Sequence, residues 1–246
     1  IHKLPKSELH CHLDGSLRIL TILDLADNQD VHLPAHNEND LTNLLFPSNK
    51  PCNLEEYLQK FDITLSVLQT ADGLERCTYE LIEDASHENI RYIEIRYSPI
   101  LHTGGNMTIN ETVDAVRRGI ERGGKDFGTD SAIIICGIRN ISPEISLQLA
   151  EVAVAYKDRG VIGFDLAGAE ENFPPKKHKD AFYLIQNNNI NSTIHAGEAF
   201  GPASIHQAIH YCSANRIGHG TRLYEDHDLM NYVILYLMGN HFLLDQ

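Results

Sequence analysis

Short runs of aliphatic and β-branched residues alternate along this chain with longer stretches whose apolar side chains return every third or fourth position. The first run, Leu4 to Leu9, leads into His10-Cys11-His12-Leu13-Asp14-Gly15-Ser16, and Leu17 to Ala26 then takes helical spacing. Leu58, Phe61, Leu65 and Leu68 line one helix face, and Leu74, Cys77, Leu81 and Ala85 repeat the pattern. Ile90 to Tyr97 is dense in β-branched and aromatic residues and stops short of Pro99, which predicts a strand. Thr108 with Glu111 three positions on is a capping-box pattern for a helix carrying Val113, Val116 and Ile120.

The alternation continues. Ala132 to Ile138 reads as a strand, and Ser142-Pro143 as the start of a helix reaching about Lys157. Val161 to Leu166, Ile190 to His195 and Arg216 to His219 read as strands, with helices over 176–188 and Ser204 to Cys212 between them. Val233 to Met238 is the candidate for a seventh strand. Strands so continuously apolar, each followed by a helix, belong to a parallel sheet covered by helices. The expected fold is therefore α/β, a single domain over residues 1–246. Polar residues 30–55, with Pro34, Pro47 and Pro51, form one insertion after the first strand, placed to act as a lid.

Composition narrows the classes of function. With 42% hydrophobic and 22% charged residues, the 246-residue chain is too apolar for disorder and large enough for its own core. No run approaches the ~18 apolar residues of a membrane span. Lys and Arg number 20 against 34 Asp and Glu, a net charge of −14. That balance disfavours nucleic acid, whose phosphates seek basic clusters, and favours a small uncharged ligand. Five cysteines, at 11, 52, 77, 136 and 212, include no Cys-x-x-Cys pair, and no charged-then-apolar leader opens the chain. Both features point to the cytoplasm.

Candidate chemistry begins at His10 and His12. Alternate strand residues share a face, ~6.6–6.8 Å apart along it, so two imidazoles there can converge on one cation. Cys11 between them faces the other way. Alone, His-x-His is more often two exposed histidines in a turn. Two later segments change its weight. Thr193-Ile194-His195-Ala196-Gly197-Glu198 sets a histidine at the end of an apolar strand with a carboxylate three residues on, and Arg216-Ile217-Gly218-His219-Gly220 ends the next strand in another histidine. Parallel α/β barrels gather their active sites at such strand ends. Three histidines could hold Zn²⁺, which lowers the pKa of its water to about 7, leaving a His and a Glu to move protons.

Together with Asp165-Leu166-Ala167-Gly168, these segments resemble the four consecutive signatures of the adenosine deaminases, in family order and joined by Glu94-Ile95-Arg96-Tyr97-Ser98-Pro99. The likeness runs from about Leu4 to Val233. It implies a (β/α)8 barrel of the TIM type with one zinc ion. It implies roles as well: His10, His12 and His195 as metal ligands, Glu198 as the acid that protonates purine N1, and His219 as the group that orients and helps deprotonate the attacking water. Gly168 would meet the purine through its backbone, and Asp14 would receive the ribose 5′-hydroxyl. The implied activity is hydrolytic deamination of adenosine and 2′-deoxyadenosine to inosine and ammonia in purine salvage. The related adenine deaminases look to carry Glu at the position of Asp14, and the methylated-nucleotide deaminases Asn. An anionic Asp would also repel a 5′-phosphate. The alternatives are a catalytically impaired deaminase fragment that only binds purine or protein, and an amidohydrolase acting on another cyclic substrate.

After Val233 the likeness stops. The family continues with a strand ending in Ser-Asn and another ending in Asp-Asp, the first Asp a zinc ligand. This sequence has no Asp-Asp, and its one Ser-Asn is Ser48-Asn49. Asp245 follows an apolar stretch but lies 26 residues after His219, too few for two more βα units. The expectation is a barrel truncated after six or seven strands. Gly119-x4-Gly124-Lys125 is followed by Asp126 rather than Ser or Thr and continues a helix, so it is not read as a phosphate loop. Glu94 and Arg96 share a strand face and are read as an internal pair. Histidines 2, 32, 36, 87, 102, 178, 206, 210, 227 and 241 are read as surface or packing residues.

Overall fold

Strand β1 (Lys6–His12) runs farther than the apolar segment Leu4 to Leu9 and holds both His10 and His12 within it. It lies parallel to β2 (Ile90–Tyr97). Arg96, fully buried, ties the two together: its Nη2 donates to the Leu9 carbonyl at 2.5 Å, while the Leu13 N–H returns to the Arg96 carbonyl at 2.9 Å. Glu94, two residues earlier, accepts from the Tyr92 hydroxyl at 3.2 Å. The computed structural model describes residues 3–47, 53–240 and 243–245, and its chain forms two units, Ile1–Ala132 and Ile133–Gln246.

Among the described residues of the first unit, six helices accompany this strand pair along the chain: α1 (Ile19–Asn28), α2 (Glu38–Leu45), α3 (Leu54–Leu58), α4 (Phe61–Val67), α5 (Ala71–His87) and α6 (Ile109–Phe127). The polar insertion is partly helical. Asn37 caps α2 by accepting the Asp40 N–H at 3.0 Å, and the segment buries Leu33, Ala35, Leu41 and Leu45. Pro51, Ser48 and Asn49 lie outside the described residues. The single helix expected across Leu58 to Leu68 is two helices, α3 and α4. At their junction hydrogen bonds tighten to three-residue spacing, Lys60 N–H to Tyr57 O (3.1 Å) and Asp62 N–H to Gln59 O (3.2 Å).

The capping box of α6 forms as its sequence implies, with the Glu111 N–H on Thr108 Oγ1 at 3.2 Å and the Thr108 N–H on Glu111 Oε2 at 2.7 Å. Leu74, Cys77, Leu81 and Ala85 all turn inward from α5. Helices α5 and α6 approach so closely that a Cβ on Gly119 would fall 2.6 Å from the Glu75 carbonyl oxygen. Gly119 thus serves helix packing, as does Gly123, where a Cβ would fall 2.9 Å from Ile82 Cβ.

His102 is buried behind β2, with Nδ1 3.0 Å from the Leu68 carbonyl oxygen. Burial pulls its pKa down to about 4, against that one hydrogen bond. The unfolded chain therefore takes up this proton first, and the contribution of neutral His102 is lost as pH falls from the ordinary value of 6.5 through 4. Urea unfolding should show the advantage of the wild type over His102→Gln shrinking by about 2–3 kcal/mol between roughly pH 7 and pH 4.5. A pH-independent difference would show that His102 is not buried as a neutral ring.

The second unit repeats strand and helix: β3 (Asp130–Ile138), α7 (Pro143–Ala155), β4 (Val161–Ala167), α8 (Lys179–Asn187), β5 (Asn191–Ala196), α9 (Pro202–Cys212), β6 (Arg216–His219), α10 (His227–Asn240) and β7 (Leu243–Asp245). The strands β3 to β7 follow chain order, each parallel to the next. Ile133, Ile134, Ile135, Phe164 and Ile194 are completely buried, and Phe164 meets the edge of Phe182 from α8 at 5.3 Å between ring centroids. Helix α8 starts at Lys179, later than residue 176, because Pro174 and Pro175 first lead into a short 3-10 turn.

Val233 to Met238 is not a strand. It lies inside α10, which Asp226 initiates by accepting the Leu229 N–H at 3.0 Å and the Met230 N–H at 2.9 Å. Buried Leu229 and Val233, four residues apart, then anchor one helical face. The local β-propensity of Val233 and Ile234 yields to that cap and packing. The seventh strand is Leu243–Asp245 instead.

Of the spare histidines, His178 is a packed residue, with Nδ1 2.8 Å from Ser146 Oγ and Nε2 3.2 Å from the Arg139 carbonyl. His2 and His241 lie outside the described residues, as does Cys52; the other four cysteines are free thiols. Among the described residues no helix is long and apolar enough to cross a membrane.

Candidate active site

In the first unit, strand alternation brings the rings of His10 and His12 side by side, their centroids 5.5 Å apart and tilted by 43°. Glu8 Oε1 accepts the His10 N–H at 2.8 Å. Cys11 faces away, its Sγ 3.4 Å from Ser16 Oγ, which in turn donates to the His12 carbonyl at 2.6 Å and closes the following turn. That turn carries Asp14 inward to 5% exposure, with Oδ1 4.0 Å from His12 Nδ1. Burial pushes the Asp14 carboxyl up to about 7, a hydrogen bond from its own backbone opposing the shift. A cleft opens beside Asp14. Leu45 and Phe46 from the insertion and Tyr57, Lys60 and Phe61 from the α3–α4 segment line it. Phe61 presents its edge to His12 at 6.4 Å. The insertion is thus a wall of this cleft.

In the second unit, the ends of β4, β5 and β6 build a cluster of acids and imidazoles. Asp165, wholly buried on β4, holds His195 of β5: its two carboxylate oxygens lie 3.1 and 3.0 Å from His195 Nδ1. The Leu166 N–H at 2.7 Å fixes the same carboxylate. A histidine whose Nδ1–H is given to a carboxylate carries its lone pair at Nε2, the arrangement of metal-ligating imidazoles. His219 ends β6 with its ring centroid 5.1 Å from that of His195 and its Nε2 3.5 Å from Glu198 Oε2. Its φ of 67° lies in the left-handed region, a strained conformation for a side-chain-bearing residue. Burial raises the pKa of Glu198, and the Glu170 charge adds to the effect, while His195 and Arg139 work against it. The group therefore holds its proton to higher pH than a free carboxyl does. Gly168, after β4, has φ +96°, and a Cβ there would fall 2.8 Å from Asn140 Oδ1, so only glycine fits.

Three residues without an assigned role in the sequence reading complete this cluster. Asp165 stood in a recognised signature, but only the fold shows it against His195. Arg139, a buried cation directly after the apolar run of β3, donates from Nη2 to the carbonyls of His195 and Leu166. Glu170, two residues past Gly168, accepts backbone N–H groups from the turn that carries Glu198. A charged residue directly after an apolar strand was the available signal for Arg139. For Glu170 the sequence offers only Ala169-Glu170-Glu171, with nothing to tell one glutamate from the other.

A sequence model of the family described as adenosine deaminase matches residues 5–235. A probable adenosine deaminase of Dictyostelium discoideum is 43% identical over 234 residues, which cover 95% of this chain and 30% of that protein. The adenosine deaminase of Mycolicibacterium vanbaalenii is 41% identical over 232 residues, 92% of this chain and 64% of that protein. The chain thus spans less than two thirds of the length of these relatives. Among solved structures, an adenine deaminase from Arthrobacter aurescens aligns with a TM-score of 0.86 at 26% identity, covering 94% of this chain and 69% of that one. An amidohydrolase from Burkholderia ambifaria with bound Zn shares the fold at a TM-score of 0.85 and 23% identity, covering 94% of this chain and 63% of that one. The fold is of the α/β, TIM-barrel type: the strand–helix alternation implied a parallel sheet covered by helices, and the family resemblance implied the barrel.

Proposed function

The chain belongs to the adenosine deaminase family, and on that premise we propose that it serves the hydrolytic deamination of adenosine and 2′-deoxyadenosine to inosine and ammonia. The observation that carries this reading is the second-unit cluster, in which a half-buried carboxyl, Glu198, stands 3.5 Å from His219 beside a histidine oriented by Asp165.

The donor set fits zinc. Asp165 fixes the His195 tautomer, and His10 with His12 offers two more imidazoles from one strand face. We assign His10, His12 and His195 as ligands of one Zn²⁺. When bound, zinc supplies Lewis acidity that makes water nucleophilic near neutral pH. The remaining steps belong to the chain. His219 orients the water and takes one of its protons as oxygen adds to purine C6. Glu198, whose pKa desolvation raises, gives its proton to N1, so that no negative charge builds on the ring. The amine leaves as ammonia with the proton from His219, and the proton left on the C6 oxygen restores Glu198. Gly168 lets the purine approach its backbone, and Asp14 accepts the ribose 5′-hydroxyl.

Turnover of adenosine by the purified chain, followed by its ultraviolet change to inosine, is expected to stop with a chelator and return with zinc. Zinc uptake without turnover would assign the chain to the impaired-fragment alternative. Absence of zinc uptake would remove the ligand assignment altogether.

Asp14 gives a sharper test of substrate. Asp14→Ala should raise KM for adenosine roughly 10-fold or more, the loss of a hydrogen bond worth about 1.5–3 kcal/mol. For 5′-deoxyadenosine, which lacks the hydroxyl, the same substitution should leave KM nearly unchanged. An equal effect on both substrates would place the ribose elsewhere.

A further inference from the structure

We propose that Glu170 is a positioning residue: it fastens the turn over residues 197–200 and so sets the place of Glu198. This goes beyond the deaminase reading and rests on it only for the role of Glu198 as acid. The geometry is specific. Glu170 is 3% exposed, and its two oxygens meet three N–H groups of one turn. Oε1 accepts from Gly197 at 2.7 Å, and Oε2 accepts from Phe200 at 3.0 Å and from Ala199. The carbonyls of the same turn are held from the next strand end. Gly197 O accepts the Thr221 hydroxyl at 2.9 Å and the Arg222 N–H at 3.1 Å, and Ala199 O accepts Arg222 Nη1 at 2.7 Å. Glu198 therefore sits on a turn whose Gly197, Ala199 and Phe200 N–H groups end on one buried carboxylate and whose Gly197 and Ala199 carbonyls end on Thr221 and Arg222.

Charge matters here as well as shape. Burial opposes ionisation of Glu170, but the Ser204 hydroxyl, the Phe200 and Ala199 N–H groups and the Arg139 charge outweigh it and hold the carboxyl below its ordinary range. A carboxylate offers acceptors alone on both oxygens, as three converging donors require. Glutamine at this place would turn an NH₂ toward at least one backbone N–H. The neighbouring Glu171 is exposed, which separates the two glutamates that the sequence leaves equivalent.

The test uses Glu170→Gln and Glu170→Ala in the intact chain, with two readouts. Amide hydrogen exchange should quicken about tenfold or more at Gly197, Ala199 and Phe200 in both variants, while Thr193 and Ile194 in β5 keep their protection. In the same proteins kcat for adenosine should fall at least tenfold with KM changed by less than about threefold, because a displaced acid impairs the transition state more than substrate binding. Glu170→Gln keeps the volume of the side chain, so it remains informative if Glu170→Ala does not fold. Unchanged exchange at the three amides, or exchange that rises equally through β5 and α9, overturns the proposal. So does a KM effect without a kcat effect in an active wild type. If the wild type turns over no adenosine, the deaminase reading falls, and amide exchange alone still decides whether Glu170 holds the turn.

Discussion

Replacing Glu198 by Gln is expected to lower kcat for adenosine by about 10²–10⁴-fold while KM moves little, since the amide keeps the shape of the acid but has no proton to give. The expectation follows from where the carboxyl sits. Burial raises its pKa, and the Glu170 charge adds to that, against His195 and Arg139. The wild type holds this proton below the raised pKa and loses it above, so its rate should fall as pH rises through that limb. In Glu198→Gln the limb should disappear along with most of the activity. Steady-state rates across a pH series check both points, and a variant retaining a third or more of wild-type kcat would end the assignment of Glu198 as the acid.

The second large effect is expected at Asp165. Asp165→Asn should weaken zinc binding about 10–100-fold, the usual cost of losing the hydrogen-bond partner of a ligating histidine. Both Asp165 oxygens lie within 3.1 Å of His195 Nδ1, and one also receives the Leu166 N–H at 2.7 Å. An amide in this buried place has one acceptor where the carboxylate has two. Either the Leu166 N–H or the imidazole N–H then faces a donor, and the ring is no longer held in the tautomer that leaves Nε2 for a metal. Competition with a chromophoric chelator reads the affinity, and thermal unfolding of the metal-free proteins reads any separate loss of stability. Reduced stability with unchanged zinc affinity would show that Asp165 supports the core alone, and His195 would lose its place among the ligands.

Much of the scaffold was legible because the elements repeat simple periods. Strands such as Ile90–Tyr97 and Val161–Ala167 announce themselves by dense β-branched or apolar runs ended by Pro or Gly. The helix α6 starts where Thr108 and Glu111 say it should. Val233 to Met238 shows the limit of that reading: six apolar residues satisfy strand and helix alike, and the choice fell to Asp226 as cap and to the burial of Leu229 and Val233 one turn apart. The break between α3 and α4 likewise leaves the apolar spacing of Leu58, Phe61, Leu65 and Leu68 undisturbed, so spacing could not reveal it.

The sequence by itself determined the family, the alternation of strand and helix, and the residue types that can do the chemistry, because histidine, glutamate and glycine in those short segments are constrained locally by strand ends and turns. Tertiary structure decided which groups act on one another. It set Asp165 against His195, His219 against Glu198, and Glu170 under the turn over residues 197–200, across separations of 21 to 30 positions along the chain. Such pairings depend on strand register and on burial, which strips water from a carboxylate and makes each remaining donor decisive, and neither quantity is a property of any short stretch of polypeptide.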